Sequence, residues 1–308
     1  MLVCANLRIP RDVCTIVGML RGTVVLAMVL TFVGACAGGA TQETDGIKVV
    51  ASFYPLAFVA EQIGGDDVSV ANLTSAGTEP HELELTPKQL SAISEADLVI
   101  VMGNGFQPGV ETAAKNGGAT TLSILDLFDD PEAADPHVWL DPDKMRVIVD
   151  AIDSALGAVD AEKSESYHTE ANRLKTELAT LNADLESGLA SCERRDLFTA
   201  HDSFAWFGLQ YGLVAHGVAA VNPNSEPGPE RLVELADLAT ASGATTIFAE
   251  SLLSPEIAEA LAQEVGNLQV AVLNPLEGLT ESQVESGDDY FSIMNSNLMV
   301  LRDALDCV

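Results

Sequence analysis

The sequence predicts an α/β protein of two lobes, each with a central, mostly parallel four-stranded sheet flanked by helices. Three observations predict this fold. Short apolar segments alternate with helical segments in both halves of the chain. These segments are typical of buried strands in parallel sheets that helices cover on both faces. A leucine-patterned segment separates the two halves, and we expect it to form one long, rigid joining helix.

The first half, residues 47–160, contains four predicted strands with helical segments between them. The strands are predicted at 47–53, 68–74, 98–103 and 120–125. The helices are predicted at 55–64, 86–96 and about 106–116. A helix between successive strands is the connection that parallel strands require.

The second half, residues 192–308, repeats this order. Its strands are predicted at 196–200, 213–221, 245–250 and 268–274. Its helices are predicted at 203–212, 228–243 and 254–266, with a final helix at 288–307. The repeat indicates a second α/β lobe and not an extension of the first sheet.

The joining helix is predicted at residues 161–191. Its leucines recur at intervals of four, three, four and four residues: Leu174, Leu178, Leu181, Leu185 and Leu189. This spacing forms one apolar stripe on a helix of about 45 Å. A coiled-coil arm is the alternative, but two to three heptads are short for one.

The first 36 residues have the pattern of a secretory signal, because arginines precede a short apolar run at residues 23–35. The run is too short for a comfortable membrane span. Met19 is an alternative start. The tetrad ending at Cys36 resembles a bacterial lipobox, which implies cleavage before Cys36 and a lipid on its thiol; an ordinary signal with an incidental cysteine is the alternative. Residues 37–46 are small and polar, as in a flexible tether.

The charge balance excludes one class of partner. With 15 Lys and Arg against 46 Asp and Glu, the chain carries a formal charge of −31. Binding of nucleic acid requires basic patches, so we expect no nucleic-acid partner. An acidic surface attracts cations, although solubility or adaptation to salt explains it equally well.

Two cysteines lie outside the signal and the lipobox, namely Cys192 and Cys307. In an exported protein such a pair predicts a disulfide bond, with two buried free thiols as the alternative.

Three histidines follow predicted strands. His81 comes after the second strand, His137 after the fourth, and His201 directly after the first strand of the second half. Glu277 follows the last strand in the same way. Ligand crevices in α/β sheets open at the carboxyl ends of strands, so these four side chains are candidates for one site.

Three imidazoles and a carboxylate form a tetrahedral set suited to Zn²⁺. Copper(I) would require sulfur ligands, and calcium or magnesium would require oxygen ligands. Manganese is harder to exclude. Pro80 and Pro136 precede two of the histidines and stiffen their loops. His168, in the joining helix, and His216, in a strand, are expected to be structural.

Several motifs together resemble a known family. They are EPHELELTP (79–87), DPHVWLDP (135–142), TAHDSFAWF (199–207) and NPLEGLT (274–280). They are similar to motifs of the metal-specific solute-binding lipoproteins of bacterial ABC importers, and most similar to the zinc branch. The resemblance extends from about Ile47 to the C-terminus.

The resemblance implies two lobes joined by one backbone helix, with the metal in the cleft between them. It assigns metal-ligand roles to His81, His137, His201 and Glu277, although a water is an alternative fourth ligand. Manganese-binding relatives tend to have a carboxylate where His201 stands, which favours zinc. The implied protein is a monomer, is not an enzyme, is lipid-anchored on the outer face of the cell membrane, and delivers zinc to a cognate ABC permease.

Other functions remain open from the sequence. A manganese-binding member of the same family is one alternative. A zinc-dependent hydrolase is a second, but it needs an open ligand position and a general base, and no HExxH motif occurs. A binding protein for a chelated metal would need an aromatic or arginine-lined pocket, whereas aromatic residues make up only 5% of this chain. No sequence feature tests a role as an adhesin.

Overall fold

The computed structural model describes residues 46–128, 135–266 and 268–308. The first sheet is fully parallel and has the strand order β2-β1-β3-β4. Its strands are β1 (Ile47–Ala51), β2 (Val68–Asn72), β3 (Leu98–Val101) and β4 (Thr120–Ser123). The prediction of a parallel four-stranded sheet in the first half is therefore confirmed.

Each strand of this sheet ends two residues before its predicted end. The next apolar side chains are still buried: Phe53, Leu73, Met102 and Ile124 are at most 2% exposed. They belong to loops at the carboxyl edge of the sheet, and their burial continues the apolar pattern past the last ladder hydrogen bond. A hydropathy pattern indicates burial and not hydrogen bonding, so it overestimates the length of these strands.

The second sheet has the matching order β6-β5-β7-β8 and is also parallel. Its strands are β5 (Asp196–His201), β6 (Val214–Ala219), β7 (Thr246–Ala249) and β8 (Gln269–Val272). His201 is the last residue of β5, whereas the sequence analysis placed it directly after the strand. In both sheets the strand order reverses beside the first strand, which opens a crevice at the carboxyl edge.

The predicted helices all form, with small shifts at their ends. They are α1 (Tyr54–Gly64), α2 (Pro87–Glu95), α3 (Pro108–Gly117), α5 (Ser164–Leu189), α6 (Ala205–Tyr211), α7 (Pro229–Ser242), α8 (Glu256–Val265) and α10 (Tyr290–Leu305). Two further helices were not predicted, α4 (Pro142–Val159) and the short α9 (Glu281–Ser286).

Helix α4 had a recognisable start signal. The Asp141 side chain accepts hydrogen bonds from the backbone N–H groups of Asp143 and Lys144, and Pro142 occupies the first turn. Met145, Ile148, Val149, Ile152 and Leu156 form its buried face at helical spacing. The helix packs along α5.

Helix α5 is the predicted joining helix and is about 39 Å long from its 26 residues. The five leucines of its stripe are all buried. It packs against α1 and α4 on one side and against α10 and α6 further along. It therefore contacts helices from both halves of the described chain. The predicted lobe limits, 47–160 and 192–308, stay predictions.

A disulfide joins Cys192, just after α5, to Cys307, just after α10. Backbone hydrogen bonds from Glu193 to Asp306 and from Arg194 to Leu305 flank it. The sequence prediction of this pair agrees with the structure.

The predicted signal, Cys36 and nearly all of the tether lie outside the described residues. Within the part of the chain that the structure describes, no helix has both the length and the apolar character of a membrane span.

Replacing Cys192 and Cys307 by serine should lower the free energy of unfolding by about 2–5 kcal/mol, because the bond closes a loop of 115 residues in the unfolded chain. Urea unfolding followed by circular dichroism measures this. Wild-type protein in reductant should unfold at the same midpoint as the double variant. A double variant with the oxidised wild-type midpoint would show that the bond contributes no stability.

Candidate metal centre

His81 lies in the loop between β2 and α2. Its backbone N–H donates to Oε1 of Glu79 at 2.9 Å, and its ring packs against Phe106 with 4.5 Å between centroids. The loop is tied to the second half of the chain because Gly77 N–H donates to the carbonyl of Leu279 at 2.8 Å. Glu79 is largely buried, with 15% of its side chain exposed.

His137 precedes a short 3₁₀ turn at Val138–Leu140 and is fully buried. Its backbone N–H donates to Oδ1 of Asp135 at 2.9 Å, and the same oxygen accepts a hydrogen bond from ring atom Nδ1. His81 and His137 therefore share one local pattern, a carboxylate two residues earlier followed by proline. That pattern is visible in the sequence, where the two prolines predict stiff loops.

His201 is held by a residue that the sequence analysis missed. Its Nδ1 lies 2.7 Å from both carboxylate oxygens of Glu250, and its backbone N–H donates to Glu250 Oε1 at 3.0 Å. Glu250 directly follows β7, the strand beside β5. The two residues are 49 positions apart. No local sequence signal connects them.

Glu277 lies in the loop between β8 and α9, and its side chain is 1% exposed. The carbonyl of the preceding Pro275 accepts a hydrogen bond from the Trp139 indole at 2.8 Å. Asn274 uses Oδ1 to accept from the backbone N–H of Leu276 at 2.7 Å. Asn274 therefore shapes the loop, and Glu277 supplies the carboxylate.

The structure brings all four predicted residues to one point. The ligand atoms of His81, His137, His201 and Glu277 lie within 4.8 Å of one another. Oε1 of Glu277 is 3.0 Å from Nε2 of His81, 3.0 Å from Nε2 of His137 and 3.3 Å from Nε2 of His201. The Nε2 atoms of His137 and His201 are 3.2 Å apart.

The four separations of 3.0–3.3 Å are close to those of ligand atoms that share one zinc ion, and the whole group lies within 4.8 Å. Zinc bonds of about 2.0–2.1 Å in tetrahedral geometry place neighbouring ligand atoms about 3.3 Å apart. A carboxylate can only accept hydrogen bonds, so Nδ1 of His137 and of His201 carries hydrogen toward its carboxylate. With Nδ1–H held in this way, loss of the Nε2 proton that faces Glu277 makes the Nε2 lone pair available to a metal at the common point.

Burial and pairing act in opposite directions on the charges of the centre. Burial alone would lower the pKa of His201, but hydrogen bonds to Glu250 and Glu277 outweigh it and raise the pKa to about 10. The same balance, with Asp135 and Glu277 as partners, raises the pKa of His137. Burial would raise the pKa of Glu277, yet hydrogen bonds from the three imidazoles hold it well below its usual value.

The two remaining histidines are outside the centre, as predicted. His168 pairs with Asp153 at 2.9 Å, with 65% of its side chain exposed. His216 pairs with Asp196 at 2.8 Å and stacks on Phe198. Both make ordinary structural contacts.

A cavity of about 360 Å³ lies beside His81. Its lining comes from both halves of the chain, with Asn104 and Phe106 from the first half and Asn222 from the second. His81, with 6% of its side chain exposed, is the most accessible of the four residues.

Comparison with known proteins gives a consistent result. The sequence profile of a family described as zinc-uptake complex component A, periplasmic, matches residues 49–304. The chain is 31% identical over 290 residues to the zinc-binding protein AdcA of Streptococcus pyogenes serotype M3, which covers 84% of this chain and 56% of AdcA. It therefore spans little more than half the length of that relative.

One further relative and one solved domain match over nearly their full length. The high-affinity zinc uptake system protein ZnuA of Bacillus subtilis is 29% identical over 310 residues, covering 92% of this chain and 97% of ZnuA. The crystal structure of the Zn(II)-bound ZnuA-like domain of Streptococcus pneumoniae AdcA superposes with a TM-score of 0.74 at 30% identity, covering 85% of this chain and 99% of that domain.

The resemblance inferred from the motifs and the two-lobed α/β fold are both confirmed by these comparisons. The chain belongs to the family of the periplasmic component A of zinc-uptake complexes.

Proposed function

We propose that this protein is an extracytoplasmic solute-binding protein that captures Zn²⁺ and delivers it to an ABC-type metal importer. One observation carries the proposal: three imidazole nitrogens and a carboxylate oxygen, a ligand set suited to zinc, converge within 4.8 Å of one another in a buried centre. The zinc-binding names of the matched relatives support the same cargo.

The ligand chemistry favours zinc over manganese. Three of the four ligand atoms are imidazole nitrogens, and manganese prefers carboxylate, carbonyl and water oxygens. The centre is also closed: His137, His201 and Glu277 are at most 1% exposed. Water therefore has little access with which to complete a larger coordination shell.

The same geometry argues against a zinc hydrolase. Glu277 Oε1 is almost equally distant from the three Nε2 atoms, which is the position of a fourth ligand. A catalytic zinc site keeps that position open for water and places its general base beside it. The family is one of transport components, which supports binding without catalysis.

Capture and release of zinc depend on which loops and strands carry the four ligand residues. His81 and Glu277 lie on loops bonded to each other through Gly77 and Leu279, and the indole of Trp139 bonds the Glu277 loop to the segment after His137. His201 stands on β5 of the second sheet. Zinc would enter beside the accessible His81. The importer would release it through a small displacement of His201 and its strand from the other three ligands.

The location is part of the proposal. Secretion through the signal at residues 1–36 and a lipid on Cys36 would hold the protein on the outer face of the cell membrane, next to the permease. A relative named as a zinc-binding lipoprotein, AdcA of Streptococcus pneumoniae, supports this arrangement. We propose that the protein acts there as a monomer.

Purified protein should carry about one zinc per chain and should prefer Zn²⁺ to Mn²⁺, because imidazole nitrogens dominate the centre. Elemental analysis and competitive titration of the two ions measure this. A preference for Mn²⁺, or turnover of hydrolase substrates that Glu277→Gln abolishes, would refute the proposed function.

Each of the substitutions His81→Ala, His137→Ala and His201→Ala should lower the zinc affinity by more than about 100-fold. Loss of a residue that only orients a ligand already lowers metal affinity by about 10–100-fold. Titration against a zinc-chelating dye gives the affinities. His216→Ala is the matched control and should bind zinc like the wild type. Unchanged affinity in one of the three variants would remove that histidine from the centre.

Zinc binding should release protons and should weaken as the pH falls. The raised pKa of His201, about 10, means that its ring is protonated at neutral pH when no zinc is bound. Zinc binds only the neutral ring, so each released proton makes the affinity fall by about tenfold per unit decrease in pH. Calorimetry in buffers with different ionisation enthalpies counts the protons. Binding without proton release would contradict this assignment.

A further inference from the structure

The cavity beside His81 is larger than a zinc ion requires. Its volume is about 360 Å³. A zinc ion that keeps six waters occupies roughly 180 Å³, at about 30 Å³ per water. Cavities that hold small organic molecules in proteins begin at about 300 Å³. The space next to the most accessible ligand residue therefore has the size of a site for a small organic ligand.

The walls of this cavity are neutral, although the chain is strongly acidic. The described residues that line it include no aspartate, glutamate, lysine or arginine. The chain as a whole carries 46 Asp and Glu. Carboxylates in the walls would attract a hydrated dication, whereas neutral walls suit a ligand that has no net charge.

Apolar side chains and two amides share the lining. The apolar members are Phe106, Pro108, Leu125, Pro136 and Val221. The amides belong to Asn104 and Asn222. Asn222 uses Oδ1 to accept from the backbone N–H of Asn224 at 2.9 Å, which leaves its Nδ2 hydrogens for a ligand. Apolar walls with a few orienting polar groups are typical of small-molecule sites.

The exposure of His81 determines the order in which an arriving zinc ion changes its ligands. His81 lines the cavity and has 6% of its side chain exposed, whereas the other three ligand residues are at most 1% exposed. A zinc ion that arrives with organic ligands therefore meets His81 first. At that stage the organic ligands still occupy the cavity.

We propose that the cavity receives zinc as a neutral chelate of two α-amino acids, and that the protein takes zinc from this chelate directly. Two carboxylates balance the charge of Zn²⁺, so the chelate matches the neutral walls. Nε2 of His81 binds zinc as the amine nitrogen of one amino acid leaves it, and that nitrogen takes up a proton that zinc displaces from the imidazoles. The amino acids then depart, and zinc alone stays bound. The inference rests on the proposed zinc-binding function.

The first test mixes the metal-free full-length chain with zinc in excess L-histidine. Stopped-flow tryptophan fluorescence follows the arrival of zinc, because the Trp139 ring lies 5.0 Å from the His137 ring between centroids. Two histidines leave each ion, so an increase in free histidine of about tenfold lowers the aqueous zinc concentration by about 100-fold. Direct transfer should keep its rate over this range. Capture of aqueous zinc alone would slow in proportion to the aqueous zinc concentration.

The second test fills the cavity with Val221→Phe. The rate of zinc arrival from the histidine chelate is divided by the rate from aqueous Zn²⁺. This ratio should fall by at least about tenfold, the smallest effect of an added group in a fitted pocket. The matched control is Val214→Phe, at a valine of β6 that is 52% exposed. It should keep the wild-type ratio.

The third test adds a charge to the wall with Asn104→Asp. Asn104 has a φ of 53°, in the left-handed region that aspartate also tolerates. The new carboxylate should repel the carboxylates of the chelate and attract aqueous Zn²⁺, so the same ratio should fall by at least about fivefold. Asn172→Asp, on the exposed face of α5, is the matched control and should leave the ratio unchanged.

The inference is overturned if zinc arrival in the wild type slows in proportion to aqueous zinc, or if Val221→Phe and Asn104→Asp both keep the wild-type ratio. A lowered ratio in either variant, beside an unchanged control, supports it. If one variant fails to fold, the histidine series and the other variant decide. Wild-type protein that binds no aqueous Zn²⁺ refutes the proposed function; wild-type protein that binds aqueous Zn²⁺ but fails the histidine series refutes only this inference.

Discussion

The structure depends on one constraint: a buried carboxylate must be held among three imidazoles. Oε1 of Glu277 lies 3.0–3.3 Å from the Nε2 atom of His81, of His137 and of His201. Burying a carboxylate without partners would cost a large free energy of desolvation. The surrounding fold therefore has to hold the three imidazoles next to Glu277. Two parallel sheets satisfy this need, because the carboxyl edge of each one delivers two of the four residues to the same point.

The loops that carry the ligand residues make many contacts outside the centre, and these contacts keep the ligand side chains in place. Prolines restrict the segments that carry His81 and His137, and the Trp139 indole fixes the Glu277 loop through the carbonyl of Pro275. Helix α5 packs against helices of both halves, and the disulfide joins its end to the end of α10. Ligands that are already in place lose little conformational freedom when an ion binds, so most of the bonding energy is available for affinity.

The outer contacts fix the orientation of two of the imidazoles. Asp135 and Glu250 occupy Nδ1 of two histidines, and this leaves the Nε2 atoms facing the ion. Such partners raise the basicity of imidazole, which strengthens nitrogen coordination. The acidity of the chain as a whole, with a formal charge of −31, adds a long-range attraction for cations that does not distinguish between them.

The sequence by itself determined the α/β class, the order of the strands along the chain, the joining helix, the cysteine pair and the four candidate ligands, because each depends on local pattern or on residue chemistry. The absence of a metal-ligand motif at His168 and His216 was also predictable. The sequence overestimated the strands of the first sheet, since Phe53 and its counterparts are buried in loops. Only the tertiary structure decided that Glu250 supports His201 and that Glu79 is largely buried. Contacts of this kind join residues that are far apart in the sequence or depend on how a loop folds over the crevice. Such contacts produce no local pattern in the sequence from which they could be predicted.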